Sequence, residues 1–217
     1  MGGRPEGGVF GSAKIRPASP DDAVAVARLH RDEIPEGFLS SLPPSFLRRL
    51  YRRITSSPGS FLLVAEHDGD IAGFIAGSVA VRSLYTRFVL RDALLEFIDA
   101  PWQILKGLPR SLETLRHGAR DAAGGSGAGE LLAVAVDPRW RRHRIGSQLL
   151  DRFLEELRIR GVDTAEVVVG EDNAAAVIFY ERAGFATSSR YELHRGSFSL
   201  VMRRDTHRRD LRWATSS

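Results

Sequence analysis

Residues 139–144 read Arg-Trp-Arg-Arg-His-Arg and stand directly before an apolar helical stripe. The first N–H groups of a helix lack partners within it, and the helix dipole favours negative charge at that end. A strand over Glu130–Val136 that enters this loop and a helix that leaves it make a place for a diphosphate. Arg139, Arg141, Arg142, His143 and Arg144 add side-chain charge there. A solvated basic turn is the bland alternative, and the spacing alone leaves both open.

A second stretch runs Asn-Ala-Ala-Ala-Val-Ile-Phe-Tyr-Glu-Arg-Ala-Gly-Phe over residues 173–185. It matches without a gap the pattern Asn-x-x-Ala-x-x-Phe/Tyr-Tyr-x-x-x-Gly-Phe of the GNAT acetyltransferase superfamily. The basic loop resembles that family's Gln/Arg-x-x-Gly-x-Gly/Ala motif at Arg141 and Gly146, with Val136, Pro138, Leu149 and Leu150 matching its flanks. Arg144 replaces the middle glycine and is expected to fit with an ordinary backbone, its side chain turned away or onto phosphate. The resemblance covers about 14–203 and is strong over Glu130–Phe185.

The resemblance implies a cleft between splayed fourth and fifth strands that takes the pantetheine arm of acetyl-CoA. Val134, Ala135 and Val136 would contact that arm. Arg141, Arg142, His143, Arg144, Ile145, Gly146 and Ser147 would hold the diphosphate. Asn173 and Ala176 would reach the cofactor from the next helix, although Asn173 also reads as a helix cap. Tyr180 would protonate the departing thiolate, its alternative being a packed aromatic beside Phe179 and Phe185. Glu130 is the candidate general base, where histone acetyltransferase members carry theirs. Strict alternation would put it on one face with Leu132, Val134 and Val136. Glu66, His67, Glu171 and His30 are rivals, and a base acting through water is a further option. Glu36, Phe38 and Leu39, between the first two helices, would shape the acceptor pocket.

The elements that must position these groups are legible as changes of period. Ala13–Arg16 reads as a strand. Pro20–Arg31 reads as a helix with Ser19 as cap and Val24, Ala27 and Leu29 inward. Ser45–Ile54 is a second helix. Phe61–Glu66 and Ile71–Val81 form a hairpin around His-Asp-Gly-Asp. Residues 82–129 carry a helical insertion and a Gly-rich link from Ala122 to Gly129. Glu130–Val136 and Thr164–Val169 are strands, and Ile145–Arg160 is a helix with Ile145, Leu149, Leu150, Phe153, Leu154 and Leu157 on one stripe. Ala174–Ala183 is a helix; Thr187–Glu192 and Ser197–Met202 close a hairpin. The fold class predicted is α/β (α+β): a mixed, largely antiparallel sheet, parallel and splayed at strands four and five, with helices on both faces (the acyl-CoA N-acyltransferase fold). Residues 12–205 form the domain, flanked by a disordered tail at 1–11 and a basic tail at 206–217.

Composition narrows the function. The 217 residues contain no cysteine, which excludes disulfides, thiolate metal sites and a cysteine nucleophile. Without a Gly-x-Ser-x-Gly elbow either, direct attack of an amine in a ternary complex is expected. The six histidines are scattered, so no metal is expected. No apolar run reaches the ~18 residues of a membrane span, and no secretory signal opens the chain, which points to the cytoplasm. Net charge is +4, much of it assigned to the tail through Arg203, Arg204, Arg208, Arg209 and Arg212. A nucleic-acid partner is therefore disfavoured. The function expected is N-acetyl transfer from acetyl-CoA to a primary amine of a small molecule or protein. A non-catalytic CoA sensor or use of another acyl-CoA are the alternatives. Arg82, Arg87 and Arg91 mildly favour an acidic acceptor. The apolar insertion 84–116 reads as a lid, a homodimer surface or extra core.

Overall fold

The computed structural model describes residues 13–35, 39–41, 43–80, 127–194 and 196–208. The expectations for residues 1–11, Glu36, Phe38, the insertion with Arg82, Arg87 and Arg91, Arg209 and Arg212 lie outside them.

Within this range seven strands form one sheet: β1 (Lys14–Pro17), β2 (Ser60–His67), β3 (Asp70–Ser78), β4 (Gly129–Val136), β5 (Thr164–Gly170), β6 (Ala186–His194) and β7 (Ser197–Asp205). Their order is β1-β2-β3-β4-β5-β7-β6, antiparallel everywhere except between β4 and β5. Helices α1 (Ala23–Glu33) and α2 (Pro44–Ser56) cover one face, packing on Leu62, Val64, Phe74, Ala76 and Ala135. Helix α3 (Ile145–Ile159) covers the other, with Tyr180 of α4 (Ala174–Arg182) in the same core. This is the predicted fold class, including the parallel pair and the two-sided helical layers.

The stripe predicted for α3 is fully buried: Ile145, Leu149, Leu150, Phe153, Leu154 and Leu157 all face the sheet. Taking each of these side chains out of water contributes about 1.5–3 kcal/mol, so the stripe is a principal anchor of the described fold. Gly73 lets α3 approach, since a Cβ there would lie 3.0 Å from the carbonyl oxygen of Ala135 and 3.2 Å from Leu149. β2 is buried on both faces, as a strand between two helical layers must be.

Two expectations are corrected. A 3-10 turn at Pro20–Asp22 precedes α1, and its buried residues are Ala23, Val26, Ala27, Leu29 and His30. Val24, one helical step round from Ala23, is 56% exposed. The turn is closed by Asp22, whose carboxylate accepts from the Ser19 N–H (2.7 Å) and hydroxyl (3.0 Å). Arg16 ties β1 to that turn through Asp22 and to β2 through Glu66, each at 2.7 Å. The second correction concerns the tail. Arg203 and Arg204 belong to β7. Arg204 is buried and donates to the carbonyl oxygens of Ala183 and Arg208. Thr206, assigned to the tail, is also buried, its hydroxyl donating to Val162 O at 2.8 Å. Paired backbone and side-chain polar groups hold this segment down, which a count of arginines cannot reveal.

Candidate active site

β4 and β5 share three register pairs: Gly129 with Ala165, Glu130 with Glu166, and Leu131 with Val167. Beyond them β4 keeps β3 on one side, while β5 continues beside β7 alone. A cleft therefore opens in the sheet from Leu132 to Val136. The edge of β4 facing it carries backbone groups that strand pairing leaves unused, which a ligand amide can take up. Val134, Ala135 and Val136 lie along that edge. Because the two strands are parallel, both leave the sheet at the same end. α3 follows β4 and α4 follows β5, so two positive helix ends stand at the open end of the cleft.

The basic loop is braced from within. Asp137 accepts the Arg139 N–H at 2.9 Å and pairs with its guanidinium. The Trp140 ring lies over His67, centroids 4.0 Å apart, and packs on the α3-side core. Arg141 is turned back, its Nε 3.4 Å from Val136 O and its guanidinium paired with Glu33 of α1. Arg142, His143 and Arg144 are exposed.

Arg142 and Arg144 both take left-handed backbones, with φ of 67° and 59°. The ordinary backbone expected at Arg144 is thus corrected. Turning the chain into α3 requires a conformation that glycine adopts freely, and arginine holds it at a cost of about 1 kcal/mol. Ile145 is buried and Gly146 fits between two elements: a Cβ there would lie 3.6 Å from Phe179 and 3.7 Å from Val136. Ser147 follows in the first turn of α3, beside that junction.

Asn173 caps α4, accepting the Ala176 N–H at 3.1 Å. The capping alternative is therefore realised, with both residues near the open end of the cleft. Tyr180 is 5% exposed, between Phe179 and Phe185 at centroid distances of 5.3 and 5.6 Å. Burial pushes its phenol above the ordinary tyrosine value, so it carries its proton through the physiological range.

Glu130 stands at the closed end of the cleft, and its face differs from the one that strict alternation predicts. A β-bulge interrupts the β3–β4 register: Ala76 pairs with Ala133, but Gly77 pairs with Leu131. Leu132 is the extra residue. Leu131, Val134 and Val136 consequently pack in the α3-side core, and Leu132, Ala133 and Ala135 in the α1–α2 core. Glu130 alternates with Gly129 and Leu131, so it shares the α1–α2 face with Leu132 but not with Val134 or Val136. Burial first, and then the Glu166 carboxylate, push the Glu130 carboxyl up to about 7. Beside the bulge, on this same face, Leu39, Leu50, Tyr51, Ile54, Ala76, Leu132 and Ala133 line an apolar hollow. Leu39 is the member of the predicted acceptor set that falls within the described residues.

Three of the four rival bases are engaged elsewhere. His30 is buried against Phe74, its Nδ1 2.6 Å from the Tyr51 hydroxyl, and burial lowers it to about 4. Glu66 pairs with Arg16, and Glu171 with Arg190 at 2.7 and 2.8 Å. His67 lies under Trp140, by the basic loop. Two site residues were missed by sequence reasoning: Trp140, signalled by an aromatic inside a charged run, and Glu166, whose opposition to Glu130 depends on strand register. No group of His, Asp and Glu among the described residues could hold a metal ion. No helix among them is long and apolar enough to cross a membrane.

The acetyltransferase (GNAT) family profile matches residues 24–185, spanning the cleft, the basic loop and Tyr180. The chain belongs to the GNAT acetyltransferase family. Its similarity to curated GNAT relatives is local. A [ribosomal protein bS18]-alanine N-acetyltransferase of Salmonella typhimurium is 44% identical over 55 residues, 25% of this chain and 37% of that protein. A mycothiol acetyltransferase of Beutenbergia cavernae is 44% identical over 57 residues, 26% of this chain and 19% of that one. The matches thus span well under half the length of those relatives. Among solved structures, a PaiA N-acetyltransferase of Thermoplasma acidophilum in complex with coenzyme A aligns with a TM-score of 0.59 and 17% identity, over 90% of this chain and 99% of that one. At that identity the likeness concerns the GNAT fold alone.

Proposed function

We propose that this GNAT protein moves an acetyl group from acetyl-CoA to a primary amine by direct attack. The observation that carries the reading is the parallel β4–β5 pair that parts after three rungs, with two helix N-termini and an arginine loop at its open end. The unused β4 edge offers hydrogen bonds to an extended amide-bearing arm, and one N–H on it can stabilise the carbonyl oxygen as it gains charge. The exposed Arg142, His143 and Arg144, with the first N–H groups of α3, suit a diphosphate.

Glu130 removes a proton from the acceptor ammonium. The freed nitrogen attacks the thioester carbonyl carbon, the C–S bond breaks, the Tyr180 hydroxyl gives its proton to the sulfur, and the second proton that the nitrogen sheds on becoming an amide restores that hydroxyl. A carboxyl near 7 is matched to the first task and a phenol held protonated by burial to the last. The apolar hollow beside Leu132 shifts the acceptor away from the acidic class that the insertion arginines suggested. It suits an amine with a small apolar flank, such as the amino terminus of a peptide beginning with alanine.

The deciding experiment follows thiol release from acetyl-CoA with amine and peptide acceptors, beside calorimetry of CoA binding. Turnover with an apolar-flanked amine supports the reading. Tight binding with no thiol release from any acceptor makes the protein a CoA-binding module instead.

A further inference from the structure

Three charged residues stand in one line across adjacent strands. Glu130 of β4 is the register partner of Glu166 of β5, and Glu166 is the partner of Arg203 of β7. All three point to the α1–α2 face, because their neighbours Leu131, Ala165, Val167 and Met202 fill the core beneath α3. Arg203 Nε lies 2.6 Å from Glu166 Oε2, and the Glu166 side chain is only 16% exposed. Register partners on one face hold their Cβ atoms about 5 Å apart. Two carboxyl groups so placed resist double ionisation, and the one without a counterion takes the shared proton.

Among the described residues, the one charge that shifts Glu130 is that of Glu166. β3 sets Ser78 opposite it, with the hydroxyl donating to Gly59 O at 3.0 Å. α1 directs Arg28 towards Asp137 and Glu33 to Arg141, both beyond the far end of β4. α2 presents Leu50, Tyr51 and Ile54 to the hollow beside Leu132, and the Tyr51 hydroxyl is engaged by His30. α3 lies across the sheet, on the opposite face.

We propose that Glu166 is a positioning residue for the transfer, its carboxylate anchored by Arg203 so that Glu130 is the carboxyl that takes up the acceptor's proton. This rests on the reading of Glu130 as the base. The interaction sits at the last rungs before the cleft, where rigid pairing fixes the two carboxyl groups and nothing about the reaction needs to move them.

The test uses the full chain with carbon-13 in its glutamate carboxyls, the Glu130 signal being assigned by its loss in Glu130→Gln. Its NMR titration is read beside the pH profile of kcat/KM. Glu166→Gln should lower the Glu130 midpoint by about half to one pH unit, and Arg203→Gln should raise it. Glu166→Asp, which keeps the charge, should return it towards the wild-type value. Opposite shifts in the two charge variants support the proposal, and if one variant is poorly folded the predicted sign in the other still supports it. An unmoved Glu130 midpoint in a folded variant overturns it. A moving midpoint with an unmoved acid limb of kcat/KM supports the coupling and removes Glu130 from the role of base. That outcome separates the two readings.

Discussion

Glu130 and Tyr180 lie on opposite faces of the central sheet. The carboxyl belongs to the α1–α2 side and the phenol to the core under α3. A group lodged between β4 and β5 is accessible from both sides, so the two proton transfers need not compete for space. In the proposed mechanism the amine would enter through the face with the apolar hollow, and the thiolate would be protonated through the packed face.

Glu130→Gln is expected to lower kcat/KM by about 100-fold or more. In the wild type the rate should climb with pH up to about 7, where Glu130 loses its proton, and level off above. Stability runs the other way. The folded carboxyl titrates above its unfolded counterpart, so its contribution is complete below about 4.5 and is lost as pH rises through 7. The Gln variant should therefore be more stable than wild type at pH 8, on the order of 2 kcal/mol, by urea denaturation.

Tyr180→Phe keeps the ring contacts with Phe179 and Phe185 and removes the proton donor. Turnover should fall about 100-fold while the Kd for CoA changes less than about threefold. Calorimetry beside steady-state kinetics checks this. Undiminished turnover would remove Tyr180 from the mechanism.

Arg144→Gly should raise stability by about 1 kcal/mol by relieving the left-handed backbone, while Arg144→Ala should show no gain because it keeps that strain. CoA affinity of both variants should become less salt-sensitive, since each loses one charge from the loop. Matched denaturation curves and binding at two ionic strengths read both effects.

Asn173→Ala should cost about 1 kcal/mol as α4 loses its cap. Asn173→Asp keeps an oxygen for the Ala176 N–H and should preserve stability. A drop in CoA affinity with Asp, at unchanged Tm, would assign Asn173 a contact beyond its helix.

Much of this was legible in the residues themselves. The α3 stripe from Ile145 to Leu157 and the Asp68–Gly69 turn are local patterns, and local patterns carry their own geometry. What escaped depended on partners distant in the chain. The face of Glu130 is set by the bulge at Leu132, which exists only where β3 and β4 pair. The backbone of Arg144 is set by how α3 must dock over Gly73, not by arginine's preference. Arg204 reads as one basic residue among several until the carbonyl oxygens of Ala183 and Arg208 are seen around it.

The three rungs between β4 and β5 have a mechanical consequence. They are the narrow waist of the seven-stranded sheet, and β1 to β4 and β5 to β7 are otherwise stitched together by α3 above them. A molecule bonded along the vacant margin of β4 would act as a splint across that waist. Amide protons of β5 and β7 should then exchange with solvent more slowly, and the two halves should melt more cooperatively.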